Sequence, residues 1–397
     1  MSDITEIVKE EAKELLPYAS RLRRYFHMNP ELAMEEFNTA ATIEKELDDM
    51  GLAHTRTAVT GVYTDIQGSL PGDKTIVLRA DIDALPVTEE HDCAYKSTVP
   101  GKMHACGHDA HAASLLAAVR ILNDHRDLFG GTVRAVFQPG EEIGYGARII
   151  VDEGVVDNAD RTFGAHMASY VPVGQVVLAP GPNCASVDWF RITVHGKSAH
   201  VSKPHQGVDA LYIASQIVVG AQALVTRCVS PMDNALIGIG KLEAGTAYNV
   251  VASEAVLEGT IRVFLPETRQ QLHDQLEQLA ALTAQTYGGS MEIEWKDFIS
   301  PLINDEQSAS EAQKTAVRLF GEENVKSSRT PSLGGDDFAE FILRVPGVYA
   351  LIGSANPDIP ETGAAHHNSH FDIDEKALEV SAALYAAYAM EFLNGEV

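Results

Sequence analysis

Basic residues are scarce: Lys and Arg number 30 against 56 Asp and Glu, for a formal net charge of −26. A polyanion of this strength repels phosphate backbones, so nucleic acid is not an expected partner. An anionic small substrate stays open, because a local arginine or bound cation reverses the field at a site. Cysteine is also sparse, with only Cys93, Cys106, Cys184 and Cys228. The opening MSDITEIVKEEAKELL is acidic and amphipathic and lacks the basic start and apolar run of an export signal. Four cysteines without such a signal do not form a disulfide framework. No stretch approaches the roughly 18 uninterrupted apolar residues of a membrane span. Repeats, low-complexity runs and long linkers are missing too. What remains is an expected cytoplasmic protein, 45% hydrophobic and long enough for two domains.

Periodicity divides the chain. Ile4, Val8, Ala12, Leu15, Ala19 and Leu22 have helical spacing, which stops at Met28-Asn29-Pro30. A second helix is expected over Glu36 to Met50, ending at Gly51. Strands are expected at Val62 to Ile66 and Thr75 to Ala80, joined by a turn at Leu70-Pro71-Gly72-Asp73. Helix at 112–122, strand at 132–137, helix at 145–151 and strand at 162–165 follow. Such alternation predicts an α/β fold, a mixed or mostly parallel sheet flanked by helices. From about residue 184 the order becomes strand 187–195, helix 207–226, strands 235–242 and 250–264, helix 267–286 and strand 290–295. That β-α-β-β-α-β pattern is ferredoxin-like. The α/β pattern then returns, with helices near 306–320 and 336–344, a strand at 347–352 and a final helix at 374–393. The expected domains are therefore 1–183 plus 297–397, interrupted by an inserted α+β domain at 184–296.

The densest chemistry lies in Met103-His104-Ala105-Cys106-Gly107-His108-Asp109-Ala110-His111. Imidazole nitrogen and thiolate sulfur are borderline-soft donors suited to Zn(II) and its neighbours. Cys106 and His108 flank Gly107, where the backbone can turn both side chains toward one centre. The bland alternative is a polar loop leading into a helix capped by Asp109. In Gln138-Pro139-Gly140-Glu141-Glu142, two adjacent carboxylates follow a strand, and a cation is needed to hold one beside the other. One carboxylate can bind metal while the other handles a proton; the alternative is an acidic helix start. Gly164-Ala165-His166-Met167 also follows a strand, and Ala365-His366-His367-Asn368-Ser369-His370-Phe371-Asp372 precedes the last helix. Open α/β sheets deliver functional groups at the carboxyl ends of their strands.

These motifs, together with Arg79-Ala80-Asp81-Ile82-Asp83-Ala84-Leu85-Pro86, resemble the dinuclear metal-dependent amidohydrolases and peptidases related to aminoacylase and glutamate carboxypeptidase. The branch most similar contains hippurate hydrolase, the auxin–amino acid conjugate hydrolases and N-acetyldiaminopimelate deacetylase. The resemblance spans nearly the whole chain and implies two divalent ions per chain, zinc or manganese, with cobalt or nickel as alternatives. It implies Cys106, His108, Glu142, His166 and His367 as metal ligands, with Cys106 bridging. Glu141 matches the general base and Asp83 a carboxylate that orients ligands. His200, in Lys197-Ser198-Ala199-His200, matches a lid-domain histidine reaching into a partner's site; Asn249 and Arg262 match residues that hold the substrate. The inserted domain would then be a lid and dimerisation domain of a homodimer or tetramer. Ser369 stands where the family often has proline, so His366, His367 and His370 all compete as the ligand, and the Phe371-Asp372-Ile373-Asp374-Glu375 tail selects His367 by register.

The implied reaction is hydrolysis of the amide bond of an N-acyl amino acid, with dipeptidase, aminopeptidase or carboxypeptidase activity as the nearest alternative. A thiol hydrolase with Cys106 as nucleophile and His108 or His104 as base is a rival of another class. So is a non-catalytic metal-binding protein. His91 and Cys93 read as structural or rim residues, Trp189 as core of the inserted domain, and Cys184 and Cys228 as inert. Gly334-Gly335-Asp336-Asp337-Phe338 resembles a family segment near the active site and fits a helix N-cap equally well.

Overall fold

Four parallel strands form the middle of an eight-stranded mixed sheet, and their carboxyl ends set the site. A computed structural model describes residues 4–397. The sheet runs His54–Thr57, Gly61–Gln67, Gly130–Gln138, Leu70–Asp81, Arg161–Pro172, Gly347–Ala355, Val176–Val177, Val325–Lys326. Gly130–Gln138, Leu70–Asp81, Arg161–Pro172 and Gly347–Ala355 pair in parallel, while Gly61–Gln67 joins them antiparallel. This is the expected α/β class, with helices flanking a mixed sheet. Leu70–Asp81 ends in an unbroken buried run, Ile76 to Asp81, as a strand covered on both faces requires.

Two helices close the core. His108–Asp124 and Lys376–Asn394 are buried around nearly their full circumference, pack on each other, and rest on the central strands. Their many alanines allow that close approach. Tyr385, on the second of them, donates its hydroxyl to the Arg79 carbonyl (2.7 Å) and accepts from the Ala165 N–H (3.1 Å). It thereby satisfies backbone groups near where the pairing of Leu70–Asp81 with Arg161–Pro172 ends, at Arg79 and Gly164.

The chain divides into two compact units, Met1–Gly181 with Ile303–Thr330 and Asp337–Val397, and Pro182–Leu302 with Pro331–Asp336. In the second unit a four-stranded antiparallel sheet, ordered Ser290–Ile299, Val187–His195, Glu254–Val263, Ala235–Ala244, carries helices Ala210–Cys228 and Pro266–Thr286. Phe190, Ile192 and Val194 face its core with Ile213, Ile217, Leu272 and Leu276. The short return Pro331–Asp336 belongs here because Ser332 exchanges backbone hydrogen bonds with Asn183 (2.9 Å) and Ala185 (3.0 Å).

Several local expectations need correction. The N-terminal helical pattern is two helices, Ile4–Glu14 and Leu16–Met28, because Pro17 starts a new first turn. Leu70 to Asp73 is part of a strand and not a turn joining two neighbours, and Gly130–Gln138 lies between the two strands that this turn was expected to join. His166 sits inside Arg161–Pro172, a longer strand than the 162–165 expected. Trp189 alternates away from the core that Phe190 enters and lies under Arg191 and Lys296 instead. Cys228 is exposed, while Cys184 is buried. Asp337 is buried against Arg79, and its carboxylate accepts from the Ala147 N–H in the first turn of another helix, Gly146–Asp152.

Candidate metal centre

Gly107 adopts φ 99°, open to glycine and strained for other residues, and this turn starts the helix His108–Asp124. Cys106 and His108 therefore converge rather than point apart, and with His166 their donor atoms lie within 4.8 Å of one another. Cys106, Glu142 and His367 form a second such trio, and His108, Glu141 and Glu142 a third. The trios share members, so all five expected ligands and Glu141 belong to one constellation in the first unit. Cys106 Sγ is 3.4 Å from His166 Nε2, and His367 Nε2 is 3.4 Å from a Glu142 oxygen.

The imidazoles are held in defined tautomers. His108 Nδ1–H donates to the Asp83 carbonyl (2.9 Å), and His166 Nδ1–H donates to the Met167 carbonyl (2.7 Å). Each ring therefore presents Nε2 to the centre. His366 is oriented the other way. Its Nε2 accepts from the Ser169 N–H (3.4 Å), leaving Nδ1 to face Cys106 Sγ at 3.7 Å. His370 turns instead toward Glu90. His367 is thus the member of the three that shares a trio with Cys106 and Glu142, and it does so at φ 64°, a left-handed conformation that costs a non-glycine residue about 1–2 kcal/mol. Its backbone N–H bonds to the Ala105 carbonyl at 2.7 Å, which ties the two loops together.

Carboxylates organise the rest. Asp83 accepts from the backbone N–H groups of Glu141 (3.1 Å) and Glu142 (3.0 Å), fixing the turn that carries both. Glu36 holds the same turn through the Gly140 N–H (3.0 Å) and the Thr60 hydroxyl (2.5 Å). Its own carboxyl is pushed up to about 7, chiefly by burial.

Asp81, His111, Asp337 and Asp109, none of them among the expected site residues, complete the support. Asp81 accepts from His111 Nδ1 (2.5 Å) and from Arg79 (2.6 Å), and His111 Nε2 accepts from the Met167 N–H (2.8 Å). Asp337 takes Arg79, the Gln138 amide and the Ala147 N–H. Asp109, far from capping its helix, accepts from Arg23 (2.9 Å) and His27 (2.8 Å), and Arg23 also binds Asp372 (2.6 Å). One buried guanidinium thus joins the turn beginning at His108 to the segment that follows His367. The spacing of His108 and His111, three apart on one helix, was the available signal for His111.

The electrostatics favour a cation. Burial opposes charge on His108, but Asp81 and Asp83 outweigh it and raise its pKa well above the usual range. Burial, and then Asp83 and Asp81, push Glu142 up to about 7 despite His108. His108 Nε2 and Glu142 Oε1 are buried without hydrogen-bond partners and stand 3.9 Å apart. A ring nitrogen and a carboxylate oxygen facing each other without partners, beside a sulfur and further imidazoles, fit a divalent metal that would take the proton's place. Burial, with Glu142 and Glu141, drives the Cys106 thiol well above its ordinary range, whereas a nucleophilic cysteine needs the reverse. This counts against the thiol hydrolase.

The expected lid residues lie in the second unit. His200 Nδ1 accepts from the backbone N–H (3.1 Å) and hydroxyl (2.7 Å) of Ser202, so the neutral ring carries its proton on Nε2. The Asn249 carbonyl accepts from the Val201 N–H at 3.2 Å. Arg262 is half-buried, with Nε on the Thr260 hydroxyl (3.1 Å), and burial lowers its pKa.

Residues 77–391 match peptidase family M20/M25/M40. An N-acetylcysteine deacetylase of Bacillus subtilis is 36% identical over 94% of this chain and 96% of that protein. A thermostable carboxypeptidase of Saccharolobus solfataricus is 34% identical over 99% of this chain and 100% of its own length. A Bacillus subtilis crystal structure, described as a dinuclear metal-binding peptidase of the M20 family, superposes with a TM-score of 0.84 at 34% identity and covers 96% of this chain and 99% of that one.

Proposed function

This chain belongs to peptidase family M20/M25/M40, and from that premise we propose that it hydrolyses the amide bond of N-acyl amino acids with two divalent cations held by Cys106, His108, Glu142, His166 and His367. The carrying observation is the unpartnered pair His108 Nε2 and Glu142 Oε1 beside Cys106. Bound cations of this kind acidify a water and polarise a carbonyl. Zinc or manganese suits the donor set, with cobalt or nickel as alternatives.

Glu141 shares the Asp83-held turn but is not needed as a ligand. It takes the proton of the attacking water and returns it to the amide nitrogen, which is otherwise a poor leaving group. His200, with its proton on Nε2, donates to the developing oxyanion in the partner chain's site of a homodimer. Arg262 pairs with the substrate's α-carboxylate and Asn249 holds the neighbouring polar group. All four cysteines are free, in keeping with a reducing cytoplasm.

A panel of N-acetyl and N-benzoyl amino acids, dipeptides and longer peptides, run with metal-free and metal-restored protein, tests the reading. Hydrolysis of the acylated amino acids is expected, lost on metal removal and regained with divalent ions. The 34% identity to a carboxypeptidase makes peptide cleavage the second outcome, separated by whether N-acylated substrates are accepted. Activity indifferent to metal but abolished by iodoacetamide would replace the proposal with the thiol mechanism.

A further inference from the structure

Glu89, His91 and Cys93 form a cluster of ligating side chains that the reaction above does not use, each offering one donor atom within 4.8 Å of the others. We propose that they form a separate site for a single thiophilic divalent cation of the zinc type, independent of the dinuclear centre. Cys93 Sγ stands 3.9 Å from Glu89 Oε1. His91 Nδ1 is buried without a hydrogen-bond partner, and it lies 3.7 Å from Asp372 Oδ2, so a second carboxylate is in reach. An imidazole nitrogen so placed is destabilising unless something coordinates it. Glu89 is buried while His91 and Cys93 are half-buried, so the cluster opens to solvent on one side.

The backbone holds the donors in place before any cation arrives. The Ser97 N–H donates to Glu89 (2.6 Å), and the N–H groups of Glu90 (2.8 Å) and His91 (3.2 Å) both donate to the Ser369 carbonyl. The charge balance also permits a cation. Asp109, Asp372, Glu375 and Glu89 gather around Arg23, Arg24 and His27, so the carboxylates outnumber the basic groups. Thiolate, imidazole and carboxylate are each donors that zinc takes, and three of them leave the fourth position to water or to the nearby Asp372 carboxylate. A cation here fastens residues 89–97 to Ser369, two positions after His367, and so acts as a clasp on the loop that carries a proposed ligand.

The test uses the whole metal-free chain, titrated with zinc and pulsed with iodoacetamide, with labelling of each cysteine read by peptide mass spectrometry. Zinc is expected to slow Cys93 labelling on the order of tenfold or more while exposed Cys228 labels as before. The protection should vanish in His91→Ala and persist in Cys106→Ser, which damages only the dinuclear centre. Elemental analysis should find one zinc fewer per chain in His91→Ala than in the unaltered protein. Equal labelling of Cys93 with and without zinc, protection that survives His91→Ala, or protection lost in Cys106→Ser would each overturn the site.

Discussion

Glu141 and Glu142 are neighbours in sequence, share one anchoring carboxylate, and both place an oxygen 3.9 Å from His108 Nε2. Their different tasks come from their surroundings. Glu142 shares a trio with Cys106 and His367, and one of its oxygens is buried without a partner. Glu141 belongs only to the trio around His108 among the sets described. Replacing Glu141 by Gln keeps its shape and removes its proton affinity. Turnover should fall on the order of a hundredfold or more with metal content unchanged. Cys106→Ser should reverse that pattern, since a neutral hydroxyl replaces a soft sulfur and metal content falls first. Steady-state rates paired with elemental analysis separate the two, and full activity in Glu141→Gln would remove that residue from proton transfer.

At the scale of elements, the second unit is fastened by one buried carboxylate. Asp188, in the strand Val187–His195, accepts from Arg269 on the helix Pro266–Thr286 at 2.5 Å, and His273 Nε2 on the same helix lies 3.5 Å away at ion-pair distance. Arg269 also reaches Asp297 on the neighbouring strand. Burial alone would raise the Asp188 carboxyl, but His273 and Arg269 reverse it, so the net shift is downward. A carboxylate with a lowered folded pKa stabilises the fold fully above its unfolded value near 4, and that contribution fades as pH falls through the folded value. Asp188→Asn should therefore cost roughly 3–5 kcal/mol at pH 7, as a broken buried pair does, and the gap to the unaltered protein should narrow at an acid pH below the lowered folded value. Urea unfolding at both pH values measures it, and a gap independent of pH would show that the charge of Asp188 does not matter.

The same unit shows what sequence made legible. Its alternation of buried and outward residues along Val187–His195 and its helix spacing gave the β-α-β-β-α-β order, because both faces of these elements differ in environment. Trp189 was misplaced because strand parity turns its neighbour Phe190 into the core. At the metal centre, Cys106, His108, Glu141 and Glu142 were legible because they cluster along the chain. The pairs Arg79 with Asp337 and Arg23 with Asp372 were not, since 258 and 349 positions separate the partners and no local pattern joins them. His111 and Asp81 stood within quoted motifs, and only the folded register brought Asp81 against the helix that carries His111.

At the scale of the molecule, a net charge of −26 disperses copies of the chain from one another, so a stable pairing needs a compensating apolar surface. The second unit offers one. Helix Ala210–Cys228 is long and apolar enough by length and composition to cross a membrane, yet only 28% of that stretch is buried. Leu211, Tyr212 and Val219 are exposed on it, as are Leu282 and Tyr287 on or just after the companion helix. Exposed apolar side chains gathered on two adjacent helices are a surface suited to association, and the homodimer proposed above would be an occupant that also gives His200 a purpose. If His200 serves the partner's site, a Glu141→Gln chain and a His200→Ala chain are each inactive as homodimers, yet their heterodimer contains one site with both groups intact. Random mixing at equal amounts then gives about a quarter of the unaltered activity per total chain, since half of the dimers are mixed and each has one competent site. Native mass spectrometry counts the mixed dimers while hydrolysis of an N-acyl amino acid is followed. Recovery that rises in step with the mixed species supports sharing between chains. Mixed dimers that form in the expected proportion and remain inactive would confine each site to the residues of its own chain, and an active His200→Ala homodimer would leave His200 outside the reaction.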